Sequence, residues 1–201
     1  MRGMKRILVT GAAGFAGLHL ARELGCRGWT VHGLVRKLTQ IPALKAVGAK
    51  PILGDLTREA DLRRAVRLAE PEACAHLAAG AFVPDAEKDP LLARRVIVGG
   101  TESLRKALPA GCRLLFVSTG MVYGPVKRRL PDESTPPAPA NLYSRLKVEA
   151  ETLVPEAIIA RPFNHAGPGQ DPRFVVSDFA RQVARIEAGI QSETMQVGDL
   201  T

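Results

Sequence analysis

The chain has 201 residues, of which 46% are hydrophobic, and a formal net charge of +8. That is enough apolar material for a buried core in one globular unit, and no apolar run is long enough to cross a membrane, so no membrane association is expected. The opening Met1-Arg2-Gly3-Met4-Lys5-Arg6 runs directly into a strand pattern rather than a signal-peptide core, and a cytoplasmic protein is expected. Cys26, Cys74 and Cys112 lack ligand spacing, and His19, His32, His76 and His165 are scattered, which predicts reduced thiols and no metal centre. The excess of cations raises a nucleic-acid interface. However, Arg58, Arg63, Arg64 and Arg67 share a helical stretch with Glu59 and Asp61, Lys127-Arg128-Arg129 falls in a loop, and no aromatic residues interleave with either group. A solvated face is expected there, with no nucleic-acid partner. The same charge suits an anionic small molecule such as a nucleotide cofactor or a nucleotide-diphosphate sugar.

In chain order, Arg6-Ile7-Leu8-Val9 has the length and composition of a buried parallel strand, and Leu18 to Leu24 repeats its apolar positions at helical spacing. Between them lies Gly11-Ala12-Ala13-Gly14-Phe15-Ala16-Gly17. A strand feeding directly into a helix aims unpaired backbone N–H groups and the positive end of the helix dipole at one point, where a pyrophosphate can sit. Gly11 is expected to make the tight turn, Gly14 to admit the phosphates, and Gly17 to let the helix lie close on the sheet. The spacing G-x-x-G-x-x-G is one residue longer than the usual dinucleotide fingerprint, and small residues at this interval also serve plain helix packing.

The first helix ends near Gly25 to Gly28, and Thr30 to Val35 reads as a second strand. A dinucleotide site places an acidic residue at the end of this strand for an NAD ribose, or a cation for the 2′-phosphate of NADP. Here Arg36-Lys37 stands there, which favours NADP over NAD, although a basic surface pair is the plainer alternative. A short helix over 42–47 leads to a third strand, Lys50 to Leu56, containing Gly54-Asp55-Leu56; Thr57 is expected to cap the helix that follows. Glu72 to Ala79 predicts a fourth strand whose small-residue tip, Leu77-Ala78-Ala79, suits either a passing ligand or tight packing. A long helix over 91–108 and a fifth strand, Arg113 to Val117, follow. Alternating strands and helices specify a doubly wound parallel α/β sheet, the Rossmann arrangement, with ligands beyond the carboxyl ends of the strands. Gly11, Arg36, Asp55, Ala78 and Ser118-Thr119 all fall at such ends, which favours the nucleotide cradle over packing alone.

The chemistry gathers near two tyrosines. Tyr123 is followed by Gly124 and Pro125, which prevent a helix from aligning it with Lys127. Tyr143 and Lys147 lie in a run free of both, so that i,i+4 spacing places phenol and ammonium on one face. A nearby cation is expected to lower the tyrosine pKa and fit it for proton transfer, the alternative being an ordinary exposed helical pair.

Taken together, the Gly11 to Gly17 turn, Gly54-Asp55-Leu56, His76-Leu77-Ala78-Ala79, Val117-Ser118-Thr119 through Tyr123-Gly124, Tyr143 with Lys147, and Arg161-Pro162-Phe163-Asn164 resemble the extended short-chain dehydrogenase/reductases that act on nucleotide sugars. Within that family the run Arg161 to Gln170 and the segment Ser177 to Gln182 look most like GDP-4-dehydro-6-deoxymannose reductases. The resemblance implies cofactor contacts from Gly11, Ala13, Gly14, Phe15, Ala16, Arg36, Asp55, Leu56, Leu77, Ala78, Ala79, Tyr143, Lys147 and Pro162, with Asp55 reaching the adenine and Pro162 beside the nicotinamide. It further implies Thr119 as the hydroxyl on the reacting sugar oxygen, Tyr143 as acid/base, Lys147 as pKa modulator and ribose ligand, and Asn164 beside the substrate.

Family dehydratases carry an acidic residue just after the catalytic threonine. Here Gly120 and Met121 stand there, so ketone reduction or epimerisation is expected rather than dehydration. Ile97 replaces a usual asparagine, which argues against a proton relay through that helix. The resemblance implies a dinucleotide-binding region over 1–162, the start of a substrate-binding region over 163–201 with most of the sugar-binding lid absent, and slow turnover by these residues alone. It also implies a homodimer through the helices over 91–108 and 142–154. A reductase is expected ahead of an epimerase or of a cofactor-binding protein without turnover, because a reductase exchanges its cofactor every cycle.

Overall fold

Short runs of apolar, often β-branched residues form six strands: β1 Arg6–Thr10, β2 Thr30–Val35, β3 Lys50–Leu53, β4 Ala73–His76, β5 Arg113–Val117 and β6 Ile158–Ala160. In this computed structural model, which describes residues 5–79, 83–125 and 130–198, the strands make one parallel sheet of order β3-β2-β1-β4-β5-β6. The chain forms two compact units, Met1–Phe163 and Asn164–Thr201. The basic loop Lys127-Arg128-Arg129 and the terminal Asp199-Leu200-Thr201 lie outside the described residues.

Both faces of the central strands β1, β2 and β4 are buried, which is why these strands do not alternate between apolar and polar residues. Ile7 and Val9 of β1 join a cluster with Ala21 of α1 (Phe15–Cys26) and Leu44 of α2 (Ile41–Ala46). Leu8, between them, points into the other cluster, with Leu62 of α3 (Glu59–Ala69), Phe116 of β5 and Leu146.

Several local expectations are corrected. Thr57 does not cap α3, whose N-cap position is Arg58; its amide and hydroxyl both donate to Asp55 Oδ1, each at 2.8 Å, in a turn closed before the helix starts. The third and fourth strands stop at Leu53 and His76, short of Leu56 and Ala79, because their tips turn out of the sheet. The helix expected over 91–108 follows α4 (Val83–Lys88) and has three parts, α5 Pro90–Arg94, a π-helical turn Arg95–Gly99, and α6 Gly100–Ala107. Asp89 caps its start by accepting from the Leu92 amide at 3.0 Å. Strand β6, three residues long, carries too few positions for periodicity to announce it.

Helix α7 (Leu142–Thr152) begins at a reciprocal cap, with Asn141 Oδ1 accepting from the Ser144 amide at 2.9 Å and Ser144 Oγ from the Asn141 amide at 3.3 Å. It packs on the α5–α6 helix at the π turn. In the second unit, α8 (Val175–Glu187) buries Gln182, whose amide oxygen accepts from the Gln196 backbone at 2.6 Å and whose Nε2 donates to the Gln196 carbonyl at 2.9 Å.

Glycine-to-alanine substitutions should reveal where backbone meets backbone. A Cβ on Gly17 would lie 2.2 Å from Gly11 O and 2.8 Å from Ala12 atoms, whereas one on Gly99 would meet nothing within 4 Å. Urea unfolding should therefore show Gly17→Ala destabilising by at least ~2 kcal/mol, while Gly99→Ala gains ~0.5–1 kcal/mol from helix propensity.

Candidate active site

The strand order reverses direction at β1 and β4, so the crevice of the sheet opens between their carboxyl ends. Gly11 sits there at φ +68°, and a Cβ on it would lie 2.8 Å from the Ala78 amide nitrogen and 2.9 Å from the Leu77 carbonyl carbon. Gly17 presses on the Gly11–Ala12 turn itself rather than on the sheet. Gly14 is the N-cap of α1, with no side-chain cap and no acidic residue in the first turn, so neither cap nor first turn neutralises the positive helix end. Ala13 and Phe15 are half-buried beside it and Ala16 is exposed.

The remaining strand tips line up along the same edge. Arg36 and Lys37 follow β2 with exposed side chains, and their amides both donate to Gln40 Oε1 at 3.0 Å. Asp55 follows β3; burial works against its charge, but the two Thr57 hydrogen bonds, then Arg36 and Arg58, hold its carboxyl below the usual range. Leu56, next in the chain, is buried. Leu77, Ala78 and Ala79 follow β4, half-buried.

Thr119 follows β5. Its Oγ accepts from the Met121 amide at 3.2 Å and begins a 3₁₀ turn, Gly120–Tyr123, against which α7 packs. Accepting there leaves the hydroxyl proton as the group Thr119 can offer. The chain around it is tied to the end of β6, with the Ser118 amide donating to the Ala160 carbonyl and the Gly120 amide to the Pro162 carbonyl, each at 2.7 Å. Asn164 begins the second unit and is exposed. Tyr123 ends its turn at Gly124, φ +69°, so it does not enter a helix.

Tyr143 and Lys147 are buried, 6% and 2% exposed. Lys147 Nζ donates to the Val117 carbonyl at 2.8 Å and lies 4.7 Å above the centre of the Phe116 ring. Here one expectation reverses. Desolvation pushes the Tyr143 phenol up to about 12 instead of lowering it, and lowers the Lys147 ammonium to about 8 despite the opposing charge of Glu151. Burial outweighs the i,i+4 charge effect, because both groups sit under the end of the sheet and not on an exposed helix face.

Two clusters escaped the sequence reading. His76, 1% exposed, has Nδ1 2.6 Å from Thr10 Oγ1 and Nε2 3.0 Å from Thr101 Oγ1. Since Thr101 donates to the Ile97 carbonyl at 2.6 Å, it accepts from Nε2–H, and Thr10, which accepts the Ala78 amide at 3.3 Å, donates to Nδ1. Burial, then Lys147, lowers His76 to about 3, so the ring stays neutral. The second cluster is Glu151 and Arg161, joined at 2.6 and 3.1 Å, with Arg161 Nη1 also donating to Tyr123 OH at 3.0 Å. The i,i+4 step from Lys147 to Glu151 was the available signal; His76 stands in the His76-Leu77-Ala78-Ala79 motif, but no spacing ties it to Thr10 or Thr101. Among the described residues no group of three or more His, Cys, Asp or Glu could hold a metal ion, and no helix is long and apolar enough to cross a membrane.

The sequence matches the NAD dependent epimerase/dehydratase family over residues 7–201. It is 35% identical to a GDP-6-deoxy-D-mannose reductase of Pseudomonas aeruginosa over 98% of this chain and 64% of that protein. It is 31% identical to a GDP-6-deoxy-D-talose 4-dehydrogenase of Aggregatibacter actinomycetemcomitans, covering 92% of this chain and 62% of that protein. The structure of RMD from Pseudomonas aeruginosa complexed with NADPH superposes with a TM-score of 0.80 at 33% identity, over 98% of this chain and 66% of that one. The UDP-glucose 4-epimerase of Thermus thermophilus in complex with NAD gives 0.79 at 30%, over 92% and 63%. The chain thus spans less than two thirds of the length of these relatives.

The buried ammonium sets a pH signature. With a folded pKa of about 8 against an unfolded value of 10.5, the unfolded chain binds more protons at Lys147 between those values, so its contribution to stability rises with pH through that window. Between pH 7 and 10 the wild type should gain ~2–3 kcal/mol relative to Lys147→Met, read from urea midpoints; a flat difference would contradict the burial of the charge.

Proposed function

Because this chain belongs to the NAD dependent epimerase/dehydratase family, we propose that it binds NADP(H) along the carboxyl edge of its sheet and reduces the 4-keto group of a nucleotide-diphosphate 6-deoxy sugar. A GDP-4-dehydro-6-deoxymannose-like compound is the leading substrate, in keeping with the relative of highest identity cited above. The residues fit such a cofactor. Gly11 and Gly14 leave no side chain between the crevice and a pyrophosphate, and the uncapped start of α1 faces it. Ala13, Phe15, Ala16, Leu77, Ala78 and Ala79 would line the walls. Asp55 and Leu56 would meet the adenine, Arg36 and Lys37 the 2′-phosphate, and Pro162 the nicotinamide side.

The observation that carries the reading, as reduction rather than dehydration, is at Gly120. Neither it nor Met121 carries the acid that a dehydration step requires, and a Cβ at Gly120 would lie 2.9 Å from the Phe163 ring. NADPH, when bound, supplies the hydride for the ketone carbon. Tyr143, neutral at physiological pH because its phenol is pushed up to about 12, donates its proton to the ketone oxygen. Thr119 offers its hydroxyl proton to the same oxygen, and Lys147 would hold a ribose hydroxyl of the bound cofactor and offset the charge left on Tyr143. Asn164 contributes to the substrate side. Residues 1–162 make the dinucleotide-binding region and 163–201 begin the substrate-binding region. A homodimer forms through α5–α6 and α7, in the cytoplasm.

A nucleotide-sugar 4-epimerase is the second reading, favoured by the likeness to an epimerase bound to NAD. Mass analysis of cofactor released from the purified protein separates the two, since an epimerase retains NAD between cycles.

Single-turnover NADPH oxidation with a panel of 4-keto-6-deoxy sugar nucleotides tests the chemistry. Tyr143→Phe should lower the rate ~10²–10⁴-fold with NADPH affinity changed only a few-fold, and an unchanged rate would refute the assigned mechanism. Arg36→Asp should shift the ratio of NADPH to NADH affinity ~5–10-fold toward NADH, the loss of one or two exposed charge contacts.

A further inference from the structure

The pair Glu151 and Arg161 is the most buried of the ion pairs among the described residues, with side chains 10% and 20% exposed. Its geometry is bidentate, Arg161 Nε and Nη2 reaching the two carboxylate oxygens, while Nη1 donates to Tyr123 OH. The guanidinium carbon lies 5.0 Å from the centre of the Tyr123 ring, and that ring stacks on Phe163 at 6.3 Å between centroids, 14° from parallel. Phe163 in turn fills the space above Gly120. From α7, the carboxylate therefore reaches through Arg161, Tyr123 and Phe163 to the turn that begins at Thr119. Glu151 also stands one helical turn beyond Lys147 and acts on its charge.

We propose that Glu151 is a positioning residue of the site: one carboxylate serving two cations, paired directly with Arg161, which it locks against the Tyr123 ring so that the Thr119 turn and α7 keep their relation, and acting from one helical turn away as the counter-charge of Lys147. This rests on the reading of Thr119, Tyr143 and Lys147 as the reacting centre. The other groups facing Lys147 do not supply the charge. Tyr143 and His76 are neutral, and β5 offers only the Val117 carbonyl and the Phe116 ring. Glu149 of α7 is engaged with Arg94 of α5 at 2.5 and 2.8 Å, and Glu87 of α4 with the Leu142 amide at 2.9 Å. Arg145 points outward, its guanidinium near the Ala140 carbonyl at 3.5 Å.

A carboxylate shared in this way makes the two partners' removal act in opposite directions on Lys147. Glu151→Gln, which keeps the shape, takes away the counter-charge and should lower the Lys147 titration midpoint. Arg161→Met frees Glu151 from its competing cation and should raise it. Titration of the free protein by ¹³C NMR of lysine side chains, with Lys147 assigned through Lys147→Met, reads both shifts without turnover. The alkaline limb of the pH profile of kcat should move with the midpoint in each variant, and Glu151→Gln should lose ~10-fold in kcat at pH 7 with the KM for NADPH changed less than ~3-fold. A residue that served only to hold the fold would lower thermal stability in both variants without opposed titration shifts. Shifts of one sign, or none, would overturn the proposal. A wild-type protein inert toward every sugar nucleotide would instead sink the functional reading, while the NMR titration would still decide the role of Glu151.

Discussion

The structure depends on a close approach of two backbones. At the crevice between β1 and β4, the turn at Gly11 touches the Leu77–Ala78 backbone with no room for even a methyl group, and Gly17 stands equally close to the Gly11 carbonyl. Backbone atoms cannot swing aside as side chains can, so these contacts set the spacing of strand tips and helix start together. An anion placed there meets amides already fixed in direction, which is how a site gains affinity without paying to order itself on binding.

Around that seam, polar groups under the sheet edge are joined into chains in which each member has one defined role. Thr10, His76 and Thr101 form a directed series from the Ala78 amide to the Ile97 carbonyl, and the imidazole can complete it only as the Nε2–H tautomer. The series ends in the π turn of the α5–α6 helix, so the position where the resembled family has asparagine contributes its backbone oxygen instead of a side chain. Such a chain resists local slippage because displacing one group leaves another unsatisfied in a buried setting.

Charge in the site follows the same economy. Lys147 loses most of its hydration, and what remains to hold it is a carbonyl, an aromatic face and a carboxylate one turn away. Desolvation dominates both it and Tyr143, leaving a neutral phenol one helical turn from an ammonium whose titration is drawn down toward neutral pH.

Much of this was legible from residue order alone. β2 and β5 were read to the residue, and the doubly wound class followed from alternation, because a parallel sheet covered on both faces demands unbroken apolar runs separated by helices. The Gly11 turn was visible because a left-handed φ pressed against another backbone favours glycine, and Tyr143 with Lys147 because 3.6 residues per turn is a local rule. What tertiary structure alone decided involves residues distant in sequence. The direction of the Tyr143 shift depends on how deeply the helix is buried. The place of His76 depends on Thr10 and Thr101, 66 and 25 residues away, and the tie from Glu151 to the Thr119 turn runs through Tyr123, 38 residues before Arg161. The π turn, the three-residue β6 and the reassignment of Thr57 from helix cap to Asp55 partner belong to the same class. Local pattern reports which groups a segment presents, whereas desolvation and long-range hydrogen bonding depend on what the folded chain brings against them, and those partners have no fixed spacing in the sequence.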